Sequence, residues 1–298
     1  MKSTGTQSIA RYMRGTRKSA VEFWRRFRKN RAGVLGLCVV AFFTVIGLLA
    51  PVISPHDPYK INLYEAGLIY APPSNQYPLG TDQFGRDVLS RMLWGSRISL
   101  FIGFVSAGIA VVIGSALGSL AGYYGGRVDE ILMRIVDIFL TIPTFFLILL
   151  IVAVFGASIW NVMIVIGLTI WPGTARLVRA EFLSFKQEPF VEAATVAGAG
   201  DFHIMFREIL PNAIFPAIVN ASMQVGSAIM TESSLSFLGL GDPNQVSWGW
   251  MLNDAMKSFR RAVWLTVFPG IAITLSVIAF NLIGDALNDA LNPHLKER

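Results

Sequence analysis

The sequence predicts an all-α membrane protein with six transmembrane helices, and three observations support this prediction. The chain of 298 residues is 53% hydrophobic and only 15% charged, whereas about a quarter of the residues in a soluble domain are charged. Its charges leave five charge-free, largely apolar runs, each long enough for the roughly 20 residues that cross a bilayer. One of the five is too long for a single crossing. The runs are Gly33–Ile53, Ile98–Gly126, Ile138–Ala175, Ile209–Thr231 and Ala262–Gly284.

The third run, Ile138–Ala175, must contain two helices. A single helix of its 38 residues would be about 57 Å long, nearly twice the ~30 Å of a bilayer core. We expect the chain to turn at Gly156-Ala157-Ser158, where a glycine and two small residues interrupt the apolar sequence. The other four runs supply one helix each, so six spans are expected.

The distribution of basic residues predicts the orientation. Ten of the first 33 residues are Lys or Arg, and basic residues ahead of a span mark its cytoplasmic side. Six crossings then place both termini in the cytoplasm, where the inner segments hold 18 of the 25 Lys and Arg and the outer segments hold 7. In a soluble protein such a basic tail would suggest nucleic-acid binding. Ahead of a membrane span it instead indicates orientation, so we expect no nucleic-acid partner and predict a multi-pass protein of the cell membrane.

The hydrophilic segments divide the chain into three parts. Residues 1–33 form a basic cytoplasmic tail, and residues 34–97 hold the first span and an external, proline-rich loop. Residues 98–292 form a five-helix transmembrane domain, which carries two cytoplasmic helices at 186–211. A short interfacial helix is expected before the second span, with Arg91 and its charged neighbours facing water or lipid headgroups.

The cytoplasmic segment at 186–211 predicts two short helices at a sharp bend. Pro189 suits the first turn of a helix, and Glu192 lies near the positive end of its dipole. Gly198 and Gly200 are expected to break that helix. From the residues alone, the segment either transmits force to a soluble partner or simply connects two spans.

The second short helix is expected at Phe202–Leu210. Asp201 is placed to cap its N-terminus, and Pro211 is expected to end it.

The cytoplasmic segment resembles the EAA motif of permease subunits of ATP-binding-cassette (ABC) importers. The matching residues are Glu192, Ala193, Ala194, Gly198, Leu210 and Pro211. Other motifs narrow the resemblance to the C-type permease of dipeptide, oligopeptide and nickel importers. This resemblance extends from about Phe23 to Pro293. They are Leu79-Gly80-Thr81-Asp82, Gly85-Arg86-Asp87-Val88-Leu89-Ser90-Arg91, Ser234-Leu235-Ser236-Phe237-Leu238-Gly239-Leu240-Gly241, Trp248-Gly249-x-Met251-Leu252 and Phe280-Asn281-Leu282-x-Gly284-Asp285.

This resemblance implies a type I ABC importer permease fold and a function. The chain would form half of a translocation pore for dipeptides or oligopeptides, paired with a homologous permease subunit. Two ATP-binding subunits would bind ATP and Mg²⁺, and an extracytoplasmic solute-binding protein would deliver the solute. The expected ATPase-coupling residues are Glu192, Ala193, Ala194, Gly198, Asp201, Leu210 and Pro211.

Several alternatives follow from the same residues. The resemblance also covers permeases for nickel chelates or oligosaccharides. An ion-coupled secondary transporter would need ionisable groups in the membrane, and Glu232, near the outer end of the fifth span, is the nearest case. Glu232 is either part of a pathway or gate, or an acid at the interface or paired with a neighbouring subunit.

An enzyme is not expected. Gly239-Leu240-Gly241-Asp242 matches the Gly-x-Gly-Asp motif of intramembrane aspartyl proteases, but their catalysis needs a second buried aspartate. The sequence has no Gly-x-x-x-x-Gly-Lys-Ser/Thr phosphate loop, so the chain is not expected to hydrolyse ATP. The three histidines are scattered and lack cysteine neighbours, so no metal site or cofactor is expected.

Overall fold

The computed structural model describes residues 22–62 and 67–291. Regular secondary structure in these residues is helical, and a single isolated β-bridge joins Thr81 to Asp87. The predicted all-α class is therefore confirmed. Most of the basic tail, and the predicted C-terminal segment after Leu291, lie outside the described residues, including His294.

In the described chain, a short helical segment at residues 22–27 is followed by ten helices, of which α7 contains a π-helical segment at Ile204–Ile209. They are α1 (Arg31–Ile53), α2 (Val88–Tyr124), α3 (Gly126–Thr141), α4 (Thr144–Phe155), α5 (Ile159–Phe185), α6 (Pro189–Val196), α7 (Asp201–Ala213), α8 (Phe215–Phe237), α9 (Trp248–Met256) and α10 (Trp264–Leu291).

Up to six membrane crossings are present. Helices α1, α2, α5 and α10 are each long and apolar enough to span a bilayer. Helices α3 and α4 are bent by 84° to one another and α7 and α8 by 58°, and each pair can supply one more span. The predicted six-helix architecture agrees with this count.

The predicted turn in the long apolar run is confirmed. Helix α4 ends at Phe155 and α5 begins at Ile159. Gly156 has φ = +91°, and the Ser158 hydroxyl accepts a hydrogen bond from the Asn161 backbone N–H at 3.2 Å. This turn combines a glycine C-cap with a serine N-cap, which is why the two helices separate within three residues.

The chain reverses between α2 and α3. Gly125 and Gly126 both have positive φ and reverse the chain within two residues. The amphipathic helix α3 begins there and runs to Thr141. Ile142, which precedes Pro143, is extended, as a residue before proline prefers to be. The segment before the turn at Gly156 is therefore a bent pair of helices, rather than the single helix expected from residue 138 onward.

Small residues let the long helices approach closely. Helices α2 and α5 form the most extensive helix pair of the described structure. Gly114, Gly118 and Gly122, at intervals of four on α2, all face α5, and a Cβ atom at any of them would overlap atoms of that helix. Such small-residue stripes drive helix association in membranes through close packing, so α2 and α5 behave as one rigid unit.

Contrary to the prediction, the described residues contain no separate interfacial helix before the second span. Residues from Val88 onward belong to α2, which is continuous to Tyr124, and the Asp87 carboxylate caps its N-terminus. The boundary drawn at residue 97 thus lies inside α2. Arg91, expected to face water or lipid headgroups, is 2% exposed, because carboxylates of the external loop and α9 surround it.

An ion-pair network buries these charges. Arg91 Nη2 lies 2.9 Å from Asp254 Oδ2 of α9. Arg86 bridges Asp254 Oδ2 at 2.7 Å and Asp82 Oδ2 at 2.6 Å. Nearby, the Trp264 indole N–H donates to the Thr81 carbonyl at 3.2 Å. The external loop is therefore fixed to α9 and α10.

Candidate coupling site

Helix α6 ends in a defined C-terminal motif. The Ala199 N–H donates to the Ala194 carbonyl and the Gly198 N–H donates to the Thr195 carbonyl, each at 3.0 Å. This pair of bonds is the Schellman motif, and its αL position is occupied by Gly198 with φ = +81°. The predicted break at Gly198 is confirmed, and only glycine adopts this conformation without strain.

The second cytoplasmic helix, α7, differs from the prediction at both ends. Gly200 is the N-cap, Asp201 is the first helical residue, and no side chain caps this end. Asp201 instead accepts a hydrogen bond from the Tyr123 hydroxyl at 2.9 Å. The expected side-chain cap by Asp201 is therefore wrong.

Pro211 does not end α7. The helix continues to Ala213 because Pro211 falls in the first turn of a new α-helical segment, where a proline needs no N–H partner. The preceding π-helical turn makes this change of helical phase. The Asn212 side chain donates to the Glu208 carbonyl at 2.8 Å, which satisfies a group freed by the irregular turn.

The knob, which we define as residues 186–213, packs its inner face against the membrane helices. Val191 of α6 joins Ile204, Met205 and Ile209 of α7 in one buried cluster. The same cluster contains side chains from the cytoplasmic ends of α2 and α5, Tyr123, Val178 and Phe182. Because its interior is continuous with that of the spans, the knob is an extension of the membrane domain rather than a loose loop.

The outer face of the knob is apolar and exposed. Val196 is 84% exposed and Phe202 is 76% exposed, on either side of the Gly198 bend. Phe190 and Phe206 are also exposed, and the rings of Phe202 and Phe206 lie 4.6 Å apart. Several large exposed apolar side chains on one segment are typical of a protein interface.

Polar contacts tie the knob to two long helices. Tyr123, near the end of α2, donates to Asp201 at the start of α7. Lys186, just after α5, donates to the Tyr123 carbonyl, and its Nζ lies 5.4 Å from the centre of the Tyr123 ring. Sequence reasoning missed Tyr123 and Lys186, because residues 63 positions apart carry no local signal of contact.

Ion pairs hold α3 against α5 on the same side. Arg179 forms a salt bridge with Asp129 through two hydrogen bonds. One turn away, Arg176 pairs with Asp137. These pairs place the cytoplasmic end of α5 between α2, α3 and the knob.

The predicted coupling residues occupy both faces of the knob. Glu192, Ala193, Gly198 and Pro211 are exposed, as is the backbone at the Schellman bend. Ala194 and Leu210 are partly buried and pack against the inner cluster. The motif therefore combines residues available to a partner with residues that position them.

Glu232 lies far from the knob and is buried. It is 2% exposed, and its carboxylate accepts hydrogen bonds from the Ser236 hydroxyl at 2.7 Å and the Ser233 hydroxyl at 3.4 Å. Ser247, the N-cap of α9, and Asp242 line the same small cavity. Serine hydroxyls thus solvate this carboxylate within the protein, which explains how an acid is accommodated at the outer end of α8.

Asp242 has a structural role at this cavity. Its carboxylate accepts hydrogen bonds from the Ile159 N–H at 3.2 Å and the Asn244 N–H at 2.9 Å. It therefore caps the start of α5 and its own turn. Among the described residues, no group of three His, Cys, Asp or Glu side chains is arranged to hold a metal ion.

The fold first defines a class of protein. An inward-facing structure of the MetNI methionine ABC transporter is similar over 68% of this chain and 97% of that chain, with a TM-score of 0.55 and 19% sequence identity. A second inward-facing crystal form of MetNI matches with a TM-score of 0.52. The chain therefore has the membrane fold of an ABC transporter permease.

Sequence comparison then gives the family. Residues 114–297 match the binding-protein-dependent transport system inner membrane component family. Residues 20–73 match the N-terminal transmembrane domain of oligopeptide transport permease C. The chain belongs to this inner-membrane permease family, as the motif resemblance predicted.

Relatives match over nearly the whole chain. The dipeptide transport system permease protein DppC of Haemophilus influenzae is 40% identical, covering 93% of this chain and 95% of that protein. The glutathione transport system permease protein GsiD of Pectobacterium atrosepticum is 42% identical, with coverage of 92% and 91%. The oligopeptide transport system permease protein OppC of Bacillus subtilis is 36% identical, with coverage of 94% and 92%.

Proposed function

We propose that this chain forms half of the pore of an ATP-driven importer of short peptides and receives its driving force through the knob. The observation that carries the proposal is the two-sided knob. Its inner face is continuous with the core of α2 and α5, while its outer face exposes Val196, Phe202 and their aromatic neighbours. Membership of the permease family supports the same function.

The knob is suited to transmit motion. A Schellman motif fixes the angle between α6 and α7, and a buried cluster fixes both helices to the spans. A partner that moves the outer face would therefore displace the knob as a rigid body and tilt α2 and α5 with it, a standard route for a switch between two states. The Tyr123–Asp201 hydrogen bond adds a directional link on this route.

The partner on the outer face would be one of two ATP-binding subunits. The chain lacks a phosphate loop, so ATP and Mg²⁺ would be bound by those subunits and this chain would not be an enzyme. A homologous permease would complete the pore, and an extracytoplasmic binding protein would supply the solute. Both termini and the knob would lie in the cytoplasm, as the excess of basic residues predicts.

Short peptides are the substrate class that the relatives favour. They are described as permeases for dipeptides, di/tripeptides, glutathione and oligopeptides. Glutathione is itself a tripeptide, so the common chemistry is a short chain of amide-linked amino acids. Nickel chelates and oligosaccharides, which the motif resemblance left open, lack this chemistry.

Reconstitution of the assembled transporter would test the proposal. We expect a dipeptide or tripeptide, delivered with the binding protein, to stimulate ATP hydrolysis and to accumulate inside proteoliposomes. A nickel chelate and an oligosaccharide are tested in the same assay as alternative solutes. If a nickel chelate or an oligosaccharide stimulates ATP hydrolysis and peptides do not, the proposed substrate class is wrong. If peptides stimulate hydrolysis equally well without this chain, the proposed coupling role is wrong.

A further inference from the structure

A groove opens at the external end of the membrane helices, far from the knob. Its volume is about 600 Å³, and α1, α2 and the start of α5 form its walls. We call it the outer groove. The side chains that define it are Leu48, Trp94, Arg97, Phe101, Phe104 and Trp160.

The outer groove is polar at one end and apolar below. Arg97 directly precedes the charge-free run that begins at Ile98, so its guanidinium lies at the external edge of the span. Phe104 lies seven residues further along α2, about 10 Å deeper at 1.5 Å per residue. Trp160, the second residue of α5, stands at the external end with its ring edge-to-face with Phe101 at 6.2 Å.

Arg97 is the charged residue of the groove and is not neutralised by a carboxylate. Its guanidinium lies 5.9 Å from the centre of the Trp94 ring. Within the described part of the chain no salt bridge involves Arg97, whereas Arg86 and Arg91 of the same region are paired with aspartates. A positive charge above an apolar slot therefore remains available to a ligand.

We propose that the outer groove binds a phospholipid with an anionic headgroup from the outer leaflet. The phosphate lies at Arg97, and one acyl chain descends along Leu48, Phe101 and Phe104. Trp94 and Trp160 stand at the level of the headgroups, where tryptophan is enriched in membrane proteins. The polarity of the groove, with one cation above an apolar lining, matches an amphiphile whose charge stays at the interface.

The lining fits an acyl chain better than a transported peptide. The uncharged polar residues of the groove are Thr44 and Gln245. The Thr44 hydroxyl already donates to the Val40 carbonyl of its own helix at 2.8 Å. A peptide backbone would bring several amide groups that need partners away from water, whereas an acyl chain needs none.

Fluorescence quenching in the purified transporter complex would test this site. The complex is placed in phosphatidylcholine nanodiscs with increasing fractions of brominated phosphatidylglycerol or brominated phosphatidylcholine, which quench tryptophans that they touch. We expect saturable quenching with about fivefold preference for phosphatidylglycerol, since one basic residue near an anionic lipid contributes that factor. Trp160→Phe should reduce this saturable component, and the double variant Trp94→Phe with Trp160→Phe should remove it.

Matched variants separate the proposed site from general membrane electrostatics. Arg97→Gln should abolish the headgroup preference and Arg97→Lys should keep it. Arg260→Gln removes another exposed external cation, outside the groove, and should change nothing. Glycerol phosphate, which has no acyl chains, should not compete if the ligand is a lipid.

Three results would overturn the proposal. Equal affinity for the two lipids, or a preference that survives Arg97→Gln, would remove the role of Arg97. Saturable quenching that is unchanged when both Trp94 and Trp160 are replaced by phenylalanine would show that lipid does not enter the groove, as expected if a helix of the neighbouring permease fills it. Displacement by glycerol phosphate would assign the site to a free anion.

Discussion

Replacing Gly198 by valine should break coupling without unfolding the membrane domain. Gly198 has φ = +81° at the αL position of the Schellman motif. A Cβ atom built there meets no atom within 4 Å, so the first side-chain atom of valine has open space. The cost of the substitution is confined to the backbone of the bend.

The size of that cost follows from the conformation. A residue with a Cβ atom pays about 1–2 kcal/mol in the left-handed region, and the branched side chain of valine places it at the upper end. This energy lowers the population of the correctly bent knob by about 5-fold to 30-fold. The transmembrane spans do not depend on the bend, so Gly198→Val should reach the membrane at normal levels.

Transport in proteoliposomes and retention of the ATP-binding subunits on purification would measure the effect. We expect peptide uptake to fall by about the same 5-fold to 30-fold factor, with weaker ATPase attachment or with hydrolysis that no longer responds to peptide. Gly198→Asn should lose less, because asparagine tolerates the left-handed region better than other residues.

Gly200 provides a matched control on the same surface. Its φ is −75°, and a Cβ atom there also meets no atom within 4 Å. Gly200→Val therefore adds the same side chain two residues away without backbone strain. If Gly198→Val and Gly200→Val transport equally well, the bend angle has no role in coupling and the reasoning is wrong.

The remaining predictions test charge, topology, nucleotide binding and packing. Glu192→Lys places a positive charge in the first turn of α6, against the helix dipole, and should weaken ATPase attachment; wild-type transport would contradict this. In a Cys38→Ser background, a cysteine at Asn75 should react with an impermeant reagent from outside and one at Lys296 should not. The purified chain alone should show no saturable, stoichiometric ATP binding. Gly118→Leu should prevent folding, because its side chain would overlap the α5 backbone. The control Gly108→Leu, at a position with open space, should accumulate normally in the membrane.

Sequence reasoning succeeded where the signal is local. Five charge-free runs predicted the spans because a bilayer requires long apolar segments regardless of what they contact. The break at Gly198 was predictable because a helix ended by glycine needs only neighbouring residues to form its cap. The turn at Gly156-Ala157-Ser158 has the same local origin.

Sequence reasoning failed where tertiary contacts decide. Arg91 looked like a surface charge, since burial by Asp254, 163 positions away, leaves no trace in the local pattern. Asp201 looked like a helix cap until Tyr123 approached it in space. Pro211 was wrongly predicted to end a helix. A proline also fits the first turn of a helical segment, and the local sequence does not distinguish these two positions.

The long helix α2 connects the knob to the opposite end of the membrane domain. Its 37 residues extend about 55 Å, from the Asp87 cap and the buried Arg91 ion pairs to Tyr123, which donates a hydrogen bond to Asp201 of the knob. The glycine stripe along α2 holds α5 against it for much of this distance, so the pair resists bending. Under the proposed coupling, a tilt of the knob would move this pair as a whole. The same construction makes Gly198 the vulnerable point, since it sets the knob angle without contributing to the rigid pair.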